Sequence, residues 1–374
     1  MELSSEDSLR LNVLLANKPQ AIRIDESSMT LYGLLDKGEA KISLNPTCRD
    51  DQYLRIIREL LSGNVLGSSG GYPVYLQRWT RMGQTRDENL EHLLLLGEPE
   101  AVVAVACAAG LTDELARRAW WTLQDPDNAR RMLQNQAIVK GQMGSELANF
   151  LIEYLPFETE PEIIVESLRL ALQPGLIDEA LKQKLWTRCN RKPTYYLGFL
   201  ASIPDDLPDQ LPARELSAQN RQTLAELAAA DNPYAKALLR VCSPAGQTFL
   251  KTVIRVMEKP ANQDVVTILL EVLRNDFASL RPEGNPDLIL DELIEEAENR
   301  VMHPETDPQL AACLSATQGL RDAVKTLRVL SGLGYGVLRP IFRRTDAIGS
   351  LMRRKLEPVS TPLVEMLLLL QGQK

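Results

Sequence analysis

Apolar positions follow two rhythms along this 374-residue chain. Leu9, Leu11, Val13, Leu14 and Leu15 supply the apolar face of a first helix. Ser4 or Ser5 caps it, and Glu6 and Asp7 fall in its first turn, where acids suit the positive end of the dipole. Asn17-Lys18-Pro19 stops it. The rhythm then shortens. Ala21-Ile22-Arg23-Ile24-Asp25 alternates, Met29-Thr30-Leu31-Tyr32-Gly33 does so loosely, and Glu39-Ala40-Lys41-Ile42-Ser43-Leu44 alternates again beyond a turn at Asp36-Lys37-Gly38. This pattern predicts a small antiparallel sheet. Asn45-Pro46-Thr47 breaks it, and Asp50 or Asp51 opens a helix carrying Leu54, Ile57, Leu60 and Leu61. Leu66-Gly67-Ser68-Ser69-Gly70-Gly71 reads as a flexible break, and Tyr72-Pro73-Val74-Tyr75-Leu76 as a further strand.

From Asp87 onward the rhythm is helix, short break, helix. Breaks recur at Gly97-Glu98-Pro99, Gly110, Asp125-Pro126, Pro161, Pro174-Gly175, Asp231-Asn232-Pro233, Ser243-Pro244 and Pro304. Many of these prolines stand where a new helix would begin, the one helical position that tolerates them well. One phrase occurs twice. Glu98-Pro99-Glu100 leads to Gly110-Leu111-Thr112-Asp113-Glu114 and Trp121, and Glu160-Pro161-Glu162 leads to Gly175-Leu176-Ile177-Asp178-Glu179 and Trp186. Such an echo marks stacked helical pairs, but the gaps are uneven and no clean third copy exists. The expected fold is mainly α, an irregular HEAT-like helical repeat or a helical bundle preceded by a small α+β unit. The expected divisions are 1–85, 86–320 and a basic helical segment at 321–374.

Composition supports helix over sheet, because aromatics make up only 5% of the chain while Leu and Ala dominate. A net charge of −8 argues against generic binding of nucleic acid or anionic membrane by the whole molecule. Charge is nevertheless polarised. Between Glu283 and Asp307 nine acids accompany one base, and between Arg321 and Lys355 nine bases accompany two acids. Within the basic stretch, Arg339, Arg343, Arg344, Arg353 and Arg354 are the candidate surface for an anionic partner, protein or RNA. Neutralisation against the acidic helix is the alternative. The first ten residues are acidic and polar, and the apolar runs at 93–96 and 366–370 are too short to span a bilayer, so a cytoplasmic chain is expected.

Catalytic signatures are sparse. His92 and His303 are the two histidines, and neither has a second His or a Cys at ligand spacing, so no metal is expected. Gly332, Gly334 and Gly336 lack the third glycine step and the preceding strand of a dinucleotide site, which leaves a flexible joint or a close helix contact. Five cysteines at 48, 107, 189, 242 and 313 follow no disulfide or CxxC pattern. Cys189, flanked by Arg188, Arg191 and Lys192, and Cys48, beside Arg49, are candidate reactive thiols because nearby cations favour the thiolate. Cys107 and Cys313 read as packing. Trp120 and Trp121 with Arg117 and Arg118 read as core anchors, with an aromatic-basic platform for RNA bases as the alternative.

Four segments carry a family resemblance: Glu6–Asn17, Asn45–Arg55, Gly70–Leu76 and Tyr154–Pro161. In them the chain resembles the DsrS family, accessory proteins encoded with the dissimilatory sulfite reductase cluster of sulfur-oxidising bacteria. The resemblance implies a soluble cytoplasmic protein needed for oxidising stored sulfur, with a part in controlling expression of the sulfur-oxidation proteins. It lends no catalytic or binding residues. The expectation is thus a non-enzymatic adaptor or regulator with a protein partner, without cofactor, membrane insertion or DNA. The alternatives are a cysteine persulfide carrier and an RNA-binding regulator.

Overall fold

The capping and alternation signals at the start of the chain translate directly into local structure. A computed structural model describes residues 3–66, 90–281, 285, 287–317, 319–343 and 348–373. Helix α1 (Ser5–Ala16) begins where Ser4 Oγ accepts from the Asp7 amide at 3.1 Å. Strands β1 (Ala21–Asp25), β2 (Thr30–Leu35) and β3 (Gly38–Ser43) make an antiparallel meander in that order. In the register Ile24 stands opposite Leu31, and Leu31 opposite Ile42. Side chains of period two therefore share one face. Ile22, Leu31 and Ile42 meet Leu11 and Leu14 of α1 and Tyr53, Ile57 and Leu61 of α2 (Asp50–Leu66) in one core. Asp7 is buried at its edge, accepting from Tyr53 Oη and from the Asn45 amide at 2.7 Å. The expected strand at Tyr72–Leu76, the glycine break at Gly67–Gly71 and the boundary at 85/86 lie outside the described residues.

The fold is mainly α with a small α+β start: among the described residues there are twenty α-helices and one three-stranded sheet. The chain forms two compact units, Met1–Pro156 with Gln173–Ile177, and Phe157–Leu172 with Asp178–Lys374. The first unit continues through α3 (Leu90–Leu93), α4 (Pro99–Ala106), α5 (Asp113–Thr122), α6 (Pro126–Leu133), α7 (Gln136–Val139) and α8 (Met143–Tyr154). Pro99 and Pro126 occupy first-turn positions, and Thr112 and Asp125 cap α5 and α6 with their side chains.

The second unit holds α9 (Pro161–Ala171), α10 (Glu179–Cys189), α11 (Thr194–Ser202), α12 (Ala218–Ala229), α13 (Pro233–Cys242), α14 (Pro244–Glu258) and α15 (Gln263–Asp276). It continues with α16 (Leu290–Met302), α17 (Pro308–Ala316), α18 (Arg321–Ser331), α19 (Tyr335–Phe342) and α20 (Gly349–Gln371). Residues 321–374 fall in this unit with the helices before them. Helix α18 packs on α13, α15, α16 and α20, burying Val324, Leu327 and Leu330 completely. Each such side chain contributes about 1.5–3 kcal/mol.

The doubled phrase gives two helix pairs that both start on Glu-Pro but differ in their second cap, Thr112 against Asp178, and in packing. Helices α4 and α5 lie against each other. In the second copy α9 instead packs on α11, where Gly198 lets the Leu168 side chain approach the backbone closely. The tryptophans diverge too. Trp121 lies against the Arg23 guanidinium at 4.9 Å and donates to Glu39 Oε2 at 3.1 Å. Trp186 is buried, edge-on to Tyr196 and Phe199.

Candidate functional site

Helix α20 carries an unusual pair of residues for a helix interior, Pro358 and Pro362. Proline lacks the amide proton, so the carbonyls of Arg354 and Pro358 have no amide donor four residues on. The helix persists because its other face is anchored. Met352, Leu356, Val359, Leu363, Leu367 and Leu370 form a buried stripe at spacings of three and four. Its last turn is held by Arg214, whose Nη1 donates to the Leu369 and Leu370 carbonyls at 3.0 Å each, a cation where the helix dipole favours one. The prolines are thereby turned to the less buried side, Pro358 exposed and Pro362 half-buried.

Hollows flank the helix on two sides, and a third lies beyond it on α16. One of about 290 Å³ lies between the end of α14 and α20, lined by Met257, Glu258, Arg353, Glu357, Thr361 and Glu365 among others. A second of about 250 Å³ lies among α16, α18 and α20, floored by Ile294, Met366 and Leu369 and edged by Asp322, Lys325 and Glu365. The two share Glu365. A third of about 410 Å³ shares Ile294 and opens onto Asp291, Glu295, Glu298 and Met302 of α16. Seven carboxylates line the three, against the two cations Arg353 and Lys325. Each hollow therefore carries more carboxylates than cations.

The arginines singled out from sequence do not converge on one ligand. Arg339 pairs with Asp287, Nη1 to Oδ1 at 3.7 Å, and its Nη2 donates to the Asp287 carbonyl at 3.3 Å. Arg353 donates to the Pro260 carbonyl at 3.5 Å. Arg343 and Arg354 are exposed. Arg344 lies outside the described residues. Charge polarity along the sequence is used inside the fold instead. Arg328 is 2% exposed and reaches Glu296 through Nε and Nη2 at 2.7–3.2 Å. Its Nη1 donates to Tyr234 Oη and the Leu280 carbonyl at 3.0 Å each, while Tyr234 Oη donates to Asp307 at 3.0 Å. Burial pushes the Tyr234 phenol up to about 12. The glycines of the basic stretch are close contacts. A β carbon on Gly332 would strike Arg281 and Leu293, and one on Gly336 would sit 2.6 Å from the Asp287 carbonyl oxygen.

Cys189 requires a correction. Its cationic neighbours Arg188, Arg191 and Lys192 are all exposed, while its own side chain is fully buried and its Sγ donates to the Leu185 carbonyl at 3.5 Å. Burial pushes this thiol far up, against a small lowering by Arg255, so proximity in sequence does not produce a thiolate. Cys48 sits half-buried in the bend before α2, against the edge of the sheet core. Sequence reasoning assigned Cys107 to packing. In the fold Arg131 Nη1 comes within 3.2 Å of its sulfur, across 24 residues of chain. No signal in the sequence pointed to that approach.

Trp120 is a core anchor, edge-on to Phe150 at 4.7 Å between centroids. Arg117 and Arg118 both pair with Glu114, at 2.7 and 2.8 Å. Hydrogen bonding from Arg117 is the main cause that holds the Glu114 carboxyl down at about 2, with burial opposing it. Those two cations are thus already engaged beside the half-buried Trp121. His92 and His303 are exposed, on α3 and at the end of α16. Among the described residues no three His, Cys, Asp or Glu side chains group as metal ligands, and no helix is long and apolar enough to cross a membrane. No family model, curated protein or solved structure matches the chain.

Proposed function

We propose that the chain is a non-enzymatic helical adaptor or regulator that supports bacterial sulfur oxidation by docking a protein partner on its second unit. The sulfur-oxidation setting comes from the resemblance to the DsrS family, and with it the cytoplasm as the place of work. The observation that carries the docking role is the pair of hollows that flank α20, one toward the end of α14 and one among α16, α18 and α20, the latter apolar at its base. Such grooves between helices receive segments of other proteins. The test is affinity capture with the tagged full chain from sulfur-oxidising cells, followed by identification of what is retained. A component of the sulfur-oxidation machinery retained in stoichiometric amount supports the proposal. Retention of no such component from cells actively oxidising sulfur overturns it.

A second reading follows from the Arg131–Cys107 contact. The guanidinium offers a charged donor to an anionic sulfur group carried on the half-buried Cys107. In that transfer the Cys107 thiolate attacks the outer sulfur of a persulfide donor and the donor thiolate leaves. Mass spectrometry of the chain after incubation with a persulfide donor would show one added sulfur on Cys107. Its absence there ends this reading.

A further inference from the structure

We propose that the hollow among α16, α18 and α20 binds a free α-amino acid with an aliphatic side chain. The inference does not depend on the adaptor reading, and it leaves the hollow toward α14 to a partner. It starts from polar groups that have nothing to bond to. Asp322, Lys325 and Thr326 of α18 and Glu365 of α20 line this hollow of about 250 Å³. Among the described residues none of these four side chains forms a hydrogen bond or an ion pair. Elsewhere in the unit polar groups are satisfied. Arg328, on the same helix, bonds to Glu296, Tyr234 and the Leu280 carbonyl. Thr326 is the sharpest contrast, since it is only 3% exposed and a hydroxyl so buried normally has a partner.

The lining comes from one face of each helix. Positions 322, 325, 326 and 329 recur on one side of α18, and 362, 365, 366 and 369 on one side of α20, at spacings of three and four. The chemistry of the polar groups fixes the ends of the ligand. An ammonium offers donors alone, so Lys325 calls for an anionic acceptor. Ionised Asp322 and Glu365 only accept, so they call for a cationic donor. With Thr326 Oγ1 they supply acceptors for all the protons of one ammonium. No ion pair joins Lys325 to either carboxylate, which leaves the space between them to a molecule carrying both charges.

The floor fixes the rest. Ile294, Val329, Met366 and Leu369 offer apolar surface and no aromatic ring. An aliphatic side chain covers such a surface, whereas a charged or amide side chain would lose its water there without gaining a partner. The volume lies below the range of about 300–1,000 Å³ usual for drug-sized ligands, so it suits one amino acid and not a nucleotide.

Isothermal titration calorimetry on the full chain tests this with leucine and two analogues, leucinamide without the carboxylate and isocaproate without the ammonium. Leucine should bind, and each analogue should bind at least about tenfold more weakly, because a charged group of the site is then left unpaired. Lys325→Met should cost leucine about tenfold and leave leucinamide as it was. Glu365→Gln should cost leucine about tenfold and leave isocaproate as it was. A merely structural change would weaken every ligand alike. Glu357→Gln, on the other flank of α20, should leave leucine binding unchanged, and circular dichroism verifies that the variants keep their helix content.

No heat from leucine, isoleucine, valine or methionine at millimolar concentration would overturn the proposal. So would an analogue that binds the unaltered chain as tightly as leucine does, since the charged groups would then play no part. Leucine binding that survives both Lys325→Met and Glu365→Gln undiminished would place the site elsewhere and overturn it as well. The measurement uses the purified chain alone, so its failure leaves the adaptor reading standing, and failure of partner capture leaves this site standing.

Discussion

Replacing Arg328 with methionine should loosen the second unit by about 3 kcal/mol. The figure follows from its surroundings. Arg328 is 2% exposed and makes two kinds of bond there. Two go to neutral acceptors, Tyr234 Oη and the Leu280 carbonyl, both at 3.0 Å. Each is worth about 1 kcal/mol or somewhat more because the donor is charged. The rest go to Glu296 at 2.7–3.2 Å. Removing one partner of a fully buried ion pair costs about 3–5 kcal/mol, because the other charge is stranded. Glu296 is not fully stranded, since its side chain is 25% exposed and Arg300 and Arg281 lie 3.5 and 3.9 Å away. The expected cost therefore sits at the lower end. Hydrogen exchange by mass spectrometry reports it without assuming that the two units unfold together. At about 1.4 kcal/mol per factor of ten, amides of α18 and α13 should exchange about a hundredfold faster, while those of the β-sheet stay unchanged. A change below about threefold in α18 would refute the reasoning, because it would mean the network adds almost nothing to holding these helices together.

Iodoacetamide on the native chain at neutral pH should modify Cys48 and Cys107 and spare Cys189 and Cys313, since the last two are fully buried and burial pushes Cys313 up to about 11. Alkylation of Cys189 at the rate of Cys48 would contradict this. Asp7→Ala should cost the N-terminal core about 2–3 kcal/mol, because Tyr53 Oη and the Asn45 amide lose a charged acceptor. Although burial pushes the Asp7 carboxyl up, hydrogen bonds from Tyr53, Asn45 and Ser4 outweigh it and hold it below its usual value. Its contribution is thus present above about pH 4, the unfolded value, and is lost as pH falls through the folded one. Acid-induced exposure of the β-sheet, followed by hydrogen exchange between pH 5 and 2, should therefore begin at higher pH in Asp7→Ala. Gly198→Ala should lower the melting temperature, since its β carbon would strike Leu168, at a cost of about 1–3 kcal/mol. Because the nearest atom is the Leu168 Cβ, which alanine keeps, adding Leu168→Ala should not restore the loss, and a double variant as stable as the unaltered chain would argue against that clash.

Local features of the chain were legible residue by residue. Ser4 before Glu6-Asp7, Pro99 after Glu98, and Thr112 before Asp113-Glu114 all begin helices where their chemistry says they should. The alternation of Ile22, Leu31 and Ile42 became the inner face of a sheet. Cysteine reactivity was read less well. Arginine and lysine beside Cys189 in sequence point away from it because neighbours on a helix face different directions, whereas Arg131 reaches Cys107 from another helix. The arginines at 339 and 353 looked like a shared surface, but each is drawn to the nearest backbone or carboxylate acceptor of a different segment.

The sequence by itself determined which stretches are helix, which are strand, and where each begins, because caps, prolines and hydrophobic period act within about one turn. Tertiary structure alone decided what those elements do to each other. Arg328 finds Tyr234 across 94 positions, and Arg214 holds the end of α20 across 155. It also decided that acids scattered over α14, α16, α18 and α20 border common hollows. Burial and long-range pairing depend on how helices are stacked, and two helix pairs with nearly the same phrase, at Pro99 and Pro161, were stacked differently because their neighbours offered different surfaces to fill.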